Sequence, residues 1–145
     1  MRWRNHKVPL LLFMQQGKLS TEEFSQLVAE GIQAIPERFL RKLDNVAIVI
    51  ADQPNPRQRK TAQLRSGWTL FGLYEGVPQT RRGAGYNAVL PDKITIFQQP
   101  IEAAAHHKTE VKDLVRDTVW HEIANHFGMD EHQVRQAEQQ KKSSV

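Results

Sequence analysis

The chain has 145 residues, a length that accommodates one domain of ordinary size. It contains no cysteine, which excludes disulfide bonds, thiolate metal ligands and a cysteine nucleophile. The formal net charge of +4 arises in residues 1–18, which hold four basic residues and no acid, so residues 19–145 are formally neutral. A nucleic-acid-binding domain is expected to carry a basic face on its folded body. We therefore predict that the chain has no nucleic-acid partner.

Residues 1–18 form a basic and apolar N-terminal arm. Its apolar run, Val8 to Met14, has seven residues and contains a proline, whereas a membrane-spanning helix needs about 20 apolar residues. No small-x-small cleavage site follows the run. We therefore expect a cytoplasmic protein with no membrane association. Three interpretations of the arm stay open: a disordered segment, an extra strand, or an upstream start codon with Met14 as the true first residue.

The first elements carry clear helix and strand signals. Ser20 and Glu23 form a capping box, and apolar residues then recur with helical spacing from Phe24 to Ile35. Pro36 predicts the start of a second, short helical stretch. The segment Asn45–Ala51 is continuously apolar and rich in β-branched residues, which predicts a strand covered on both faces.

The middle of the chain has weaker signals. Gln53–Gly67 contains two prolines, four cations and no acid, and it is predicted to be a mobile loop. Trp68–Tyr74 and Lys93–Phe97 have the composition of a second and a third strand. The last large element is predicted as a helix over Thr109–Phe127, with Thr109 as its N-terminal cap and Gly128 ending it in the left-handed conformation.

The last helix carries the residues that indicate chemistry. At about 100° per residue, its apolar face from Val111 to Val119 continues through His121, Glu122 and Asn125. Polar groups that face a core need partners, and a metal ion with its water is one such partner. The zinc signature H-E-x-x-H is incomplete because its fifth position is Asn125. A His-Glu dipeptide alone more often marks a buried pair that bonds to itself or to the backbone.

The wider segment Thr118–Glu131, which contains the run His-Glu-Ile-Ala-Asn-His-Phe-Gly at 121–128, resembles the active-site segment of the minimal zincins. The minimal zincins are a family of small bacterial metallopeptidase-like proteins. Three further segments resemble that family in the same order: 43–50, 70–78 and 90–97. The resemblance covers about residues 19–134, which leaves the arm of 1–18 and a polar C-terminal tail of 135–145 outside the domain.

The resemblance implies an α+β fold, a small twisted mixed sheet packed against helices that include the active-site helix. It also implies that His121 is the first zinc ligand, that Glu122 is the general base, and that Asn125 occupies the place of the second histidine ligand. An acidic third ligand is implied at Glu131, with Asp130 as the alternative. The implied activity is hydrolysis of peptide bonds in a peptide or protein substrate through a zinc-activated water.

The amide of Asn125 is a weaker zinc ligand than imidazole, so three interpretations of the site stay open. The site binds zinc through His121, Glu131 and a rearranged group such as His132, or it prefers a harder cation, or it is empty. In the last case the chain is a catalytically inactive protein of the zincin fold that binds peptides or proteins. The sequence contains no signal for an oligomeric state.

Overall fold

The structure, a computed structural model, describes residues 8–9, 19–76, 91–127 and 136. A 3₁₀ turn at Arg41–Leu43 directly follows the second helix, Glu37–Leu40. In chain order, the helices and strands are β1 (Val8–Pro9), α1 (Thr21–Gln33), α2 (Glu37–Leu40), β2 (Val46–Ala51), α3 (Pro56–Thr61), β3 (Trp68–Thr69), β4 (Gly72–Glu75), β5 (Asp92–Phe97), α4 (Gln98–Ala104) and α5 (Lys108–His126). The fold class is therefore α+β, as the sequence predicts.

The main sheet has three strands in the order β2-β5-β4 within the described part of the chain. Strand β2 runs parallel to β5, from the pair Val46–Asp92 to the pair Ala51–Phe97. Strand β4 runs antiparallel to β5 and pairs Gly72 with Ile96. The central strand is the most buried of the three, since it has a neighbour on each side. A separate antiparallel pair joins β1 to β3.

Helices α1 and α5 pack against each other and form the main hydrophobic core with the sheet. The two helices come very close at Gly31, where a Cβ atom would lie 2.7 Å from the carbonyl oxygen of Lys112. The capping box of α1 is present as predicted: the Ser20 hydroxyl accepts from the Glu23 amide at 3.1 Å, and the Glu23 carboxylate accepts from the Ser20 amide at 3.4 Å. Glu23 also accepts a 2.7 Å bond from Lys108, which ties the first turns of the two helices together.

The prediction that the Asn45–Ala51 strand is covered on both faces is wrong. Among the described strands, β2 lies at an edge and pairs with β5 alone. Its residues 46, 48 and 50 pack against the main core, while Val49 is 39% exposed. The face that contains Val49 is therefore only partly covered, although Ala51 at the end of the strand packs against a second, smaller core with Leu70 and Leu73.

The prediction of a loop over Gln53–Gly67 is also wrong, because the segment contains helix α3. The Asn55 side chain accepts from the Gln58 amide at 2.8 Å, and the Gln58 side chain accepts from the Asn55 amide at 3.0 Å. Pro56 occupies the first helical position, where its missing N–H costs nothing. The signal was present in the sequence as a capping residue followed by proline.

Two further boundaries differ from the predictions. The predicted strand Trp68–Tyr74 is divided into β3, which pairs with β1, and β4, which pairs with β5. The last helix begins at Lys108 rather than after Thr109, and its N-cap residue is His107. The carboxylate of Glu110 accepts from the His106 amide at 2.9 Å and so stabilises the start of this helix. The predicted end at Gly128 lies outside the described residues.

Candidate active site

The site lies where the C-terminal half of α5 packs against β4. The two elements approach each other most closely at Gly72, where a Cβ atom would lie 2.6 Å from Cγ2 of Thr118 and 3.1 Å from the carbonyl oxygen of Thr95. Only glycine permits this separation. One turn further along α5, His121 is 1% exposed and Glu122 is 5% exposed. The sequence correctly predicts that both side chains lie on the buried face of the helix.

The Glu122 carboxyl is held at the outer edge of β4. Its Oε2 accepts a 3.1 Å hydrogen bond from the backbone amide of Tyr74. Within the described residues its Oε1 is buried and accepts no hydrogen bond. Burial raises the pKa of Glu122 to about 7, because removal from water disfavours the charged form, and the Tyr74 amide opposes this effect in part. The carboxyl therefore exchanges its proton close to neutral pH.

The His121 ring is oriented by a bond within its own helix. Its Nδ1 pairs with the backbone carbonyl of Asp117. A carbonyl oxygen only accepts, so Nδ1 carries the proton and Nε2 carries the lone pair. Metal-ligating histidines usually have one ring nitrogen bonded in this way and the other directed to the metal. The tautomer of His121 therefore fits the role of a zinc ligand.

Asn125 lies in the last turn of α5 and is exposed, in contrast to His121 one turn earlier. The sequence predicts Asn125 within or beside the buried face, and the structure places its side chain in solvent. The buried part of the face ends at Ala124.

An aromatic group borders Glu122 on the side of β4. The His126 ring stacks on the Tyr74 ring, with centroids 3.8 Å apart and planes 16° apart. His126 also meets the edge of Phe127 at 4.8 Å. The Tyr74 hydroxyl donates a 2.7 Å hydrogen bond to Asp92 on β5. Tyr74 therefore connects the Glu122 carboxyl, through its amide, with the end of α5, through its ring.

Sequence reasoning did not single out Tyr74 or His126. Tyr74 contacts Glu122 through a backbone amide, which every residue except proline possesses, so no side-chain motif marks it. His126 lies about 100° from Asn125 around the helix, so the helical spacing of the zinc signature does not include it. The sequence signal for Tyr74 is its place within segment 70–78, which resembles the zincins.

The candidate acidic ligands Glu131 and Asp130, and the alternative ligand His132, lie outside the described residues. Among residues 8–9, 19–76, 91–127 and 136, no three His, Asp or Glu side chains converge as a metal site. The described part of the donor set therefore consists of one imidazole with the appropriate tautomer and one adjacent buried carboxyl.

The model of a family described as zincin-like metallopeptidases matches residues 43–141. The chain belongs to this family. The match includes β2, β4, β5 and the whole of α5, and it extends over the candidate ligands at 130–132. No curated protein matches the chain. In the described part of this zincin-like protein, no helix is long and apolar enough to cross a membrane.

Proposed function

We propose that this protein is a zinc-dependent peptidase of the zincin type with a degenerate metal site. The observation that carries the proposal is the buried carboxyl of Glu122, which lies at the edge of β4 and has a pKa of about 7. A general base is most effective when its pKa lies near the working pH. Family membership and the tautomer of His121 support the same function.

In this proposal His121 holds zinc through Nε2, and an acidic residue from 130–131 completes the donor set with Asn125. Bound zinc would supply a water of lowered pKa and would polarise the scissile carbonyl. Glu122 would accept a proton from this water through Oε1, the carboxyl oxygen that accepts no hydrogen bond within the described residues. The Tyr74 amide holds Oε2 in place meanwhile, so the carboxyl does not rotate away.

The outer edge of β4 is the proposed place for a peptide or protein substrate. Among the described strands, β4 pairs with β5 on one side only, and an extended peptide can add to its other side by backbone hydrogen bonds. The Tyr74 amide on that side bonds to Glu122. A peptide bound along β4 would therefore have its backbone next to the carboxyl.

A second candidate function is peptide binding without hydrolysis, and the position of Asn125 favours it. Its amide is a weak ligand for zinc, and its side chain is exposed at the end of α5. A protein of this kind would retain the β4 edge and lose the metal.

The test uses full-length protein purified without chelators and without a metal-affinity tag. Elemental analysis measures bound zinc, and mass spectrometry of an incubated peptide mixture measures cleavage. We expect zinc-dependent cleavage that Glu122→Gln reduces at least 100-fold while the bound zinc is retained, since Glu122 acts on water and is not a ligand. The matched control is Glu22→Gln, which alters an exposed carboxyl on α1.

Cleavage that persists in Glu122→Gln, or that does not respond to chelator and added zinc, contradicts the peptidase proposal. Protein without zinc that binds peptides and leaves them intact supports the second candidate instead.

A further inference from the structure

Basic and acidic residues are unevenly distributed along the chain. Residues 53–69, which we name the α3–β3 segment, hold four basic residues and no acid. Residues 1–18 also hold four basic residues and no acid. The rest of the chain then has twelve basic residues against sixteen acidic ones, a formal charge of −4. The neutral sum over residues 19–145 therefore combines a cationic segment with an anionic remainder.

The α3–β3 segment has a fixed structure. The carbonyl oxygen of Arg65 accepts from the Arg59 guanidinium at 3.1 Å and from the Trp68 amide at 3.1 Å. Beneath these residues, Ala62 and Leu64 pack into a small second core that includes Leu70 and Leu73. The cations are therefore held on a folded unit, with their backbone positions determined by the core below.

The fold also attaches this segment to neighbouring elements. The buried side chain of Gln58 donates a 2.9 Å bond to Glu75 at the end of β4. Strand β1 pairs with β3, and Pro9 lies opposite Trp68 in this pair. Residues 8–9 are thereby hydrogen-bonded to the strand that contains Trp68.

The cationic groups of the segment are available to a partner. Arg57, Lys60 and Arg65 are exposed, and within the described residues no ion pair reaches any of the three. Trp68, which follows them on β3, is 42% exposed. An exposed indole in the same folded segment as these cations offers a flat stacking surface in a region of positive charge.

We propose that the α3–β3 segment binds single-stranded nucleic acid. Arg57, Lys60 and Arg65 would contact phosphates, and Trp68 would stack on an unpaired base. Cations alone would suit an acidic peptide equally well, but the exposed indole favours unpaired bases, which have an aromatic face that carboxylates lack. This departs from the sequence-based expectation of no nucleic-acid partner, which rested on a body without a basic face.

The test is a fluorescence anisotropy titration of a fluorescein-labelled 12-nucleotide oligo-dT with full-length protein. Three phosphate contacts predict that the affinity falls about 20-fold between 50 mM and 200 mM salt, with a slope of about −0.7 per contact on logarithmic axes. The triple variant Arg57→Gln, Lys60→Gln, Arg65→Gln is expected to weaken binding at least tenfold at 50 mM salt and to reduce this salt dependence.

The matched control removes the same charge elsewhere, by Arg38→Gln, Arg41→Gln and Lys112→Gln on α2, the 3₁₀ turn and α5. It is expected to weaken binding less than threefold. Equal losses in the two triple variants would show that only overall charge matters and would overturn the proposal. Absence of binding at 50 mM salt would also overturn it.

Stacking is tested at Trp68 itself. Trp68→Leu is expected to weaken binding at least fivefold, whereas Trp68→Phe retains an aromatic ring and is expected to stay within threefold. Circular dichroism is the check that both variants are folded. Three results would overturn the proposal. They are equal affinity of the Trp68→Leu and Trp68→Phe variants for oligo-dT, tighter binding of a 12-base-pair duplex than of oligo-dT, and displacement of oligo-dT by an equal concentration of poly-glutamate. The last result would assign the surface to an acidic protein partner.

Discussion

Glu122→Gln is expected to change how the stability of the metal-free protein depends on pH. Burial raises the pKa of Glu122 from its ordinary value of 4.5 to about 7. The folded state therefore binds this proton more tightly than the unfolded state does. The stability that this proton contributes is fully present below about pH 4.5 and is lost as the pH rises through 7.

The pKa shift determines the size of this effect. Each pKa unit corresponds to about 1.4 kcal/mol, so the difference from the ordinary value corresponds to roughly 3 kcal/mol in the free energy of unfolding. The glutamine side chain of the variant has the size of the protonated carboxyl and does not ionise. We therefore expect the variant to have nearly wild-type stability at pH 4.5 and to be more stable than wild type by up to roughly 3 kcal/mol at pH 8.

The assay is urea denaturation in the presence of EDTA at pH 4.5, 6, 7 and 8, followed by circular dichroism. The quantity compared is the difference between variant and wild type, since the other carboxylates contribute equally to both. Glu22→Gln, an exposed change on α1, serves as the control and is expected to follow wild type across this range. A difference between Glu122→Gln and wild type that is constant from pH 4.5 to 8 would refute the argument that burial disfavours the charged carboxyl.

Three further outcomes are expected. Gly72→Ala should destabilise the fold by about 2 kcal/mol or more in denaturant titrations, because its Cβ would lie 2.6 Å from Cγ2 of Thr118. Adding Thr118→Ser, which removes that methyl group, should recover part of the lost stability. No recovery would mean that another contact is responsible. Asn125→His should increase zinc affinity at least tenfold in calorimetric titrations, about 1.4 kcal/mol, and an unchanged affinity would show that position 125 does not reach the metal. EDTA should lower the melting temperature by only a few degrees, since the apolar core includes fully buried Val115 and Ile96; cooperative unfolding on chelation would contradict this.

Local sequence rules are sufficient where a feature depends on a few neighbouring residues. The capping box at Ser20 forms as predicted because its hydrogen bonds join residues three positions apart. The same type of signal was present at Asn55 and Gln58, but the abundance of cations and prolines in that segment favoured the interpretation as a loop. Helix α3 is nevertheless a local feature, since its capping box joins residues three positions apart.

Pairing between distant strands is not encoded in local patterns. Trp68–Tyr74 has uniform strand composition, yet β3 pairs with β1 and β4 pairs with β5. Side-chain burial does not mark this division, because Leu70 and Leu73 both pack in the second core while Phe71 packs in the main core. The break lies in the backbone pairing, which only the three-dimensional arrangement reveals.

The sequence by itself determined the family, and the α+β class that the family implies, through an ordered set of motifs. It also determined the buried positions of His121 and Glu122, through helical periodicity. Tertiary structure alone decided that the Tyr74 amide holds the Glu122 carboxyl, 48 residues away along the chain. It also decided that burial raises the pKa of Glu122 to about 7, since desolvation depends on the atoms packed around a group. Because every residue except proline has a backbone amide, the sequence does not indicate which amide bonds to Glu122. The packing of β4 against α5 at Gly72 determines that it is the amide of Tyr74.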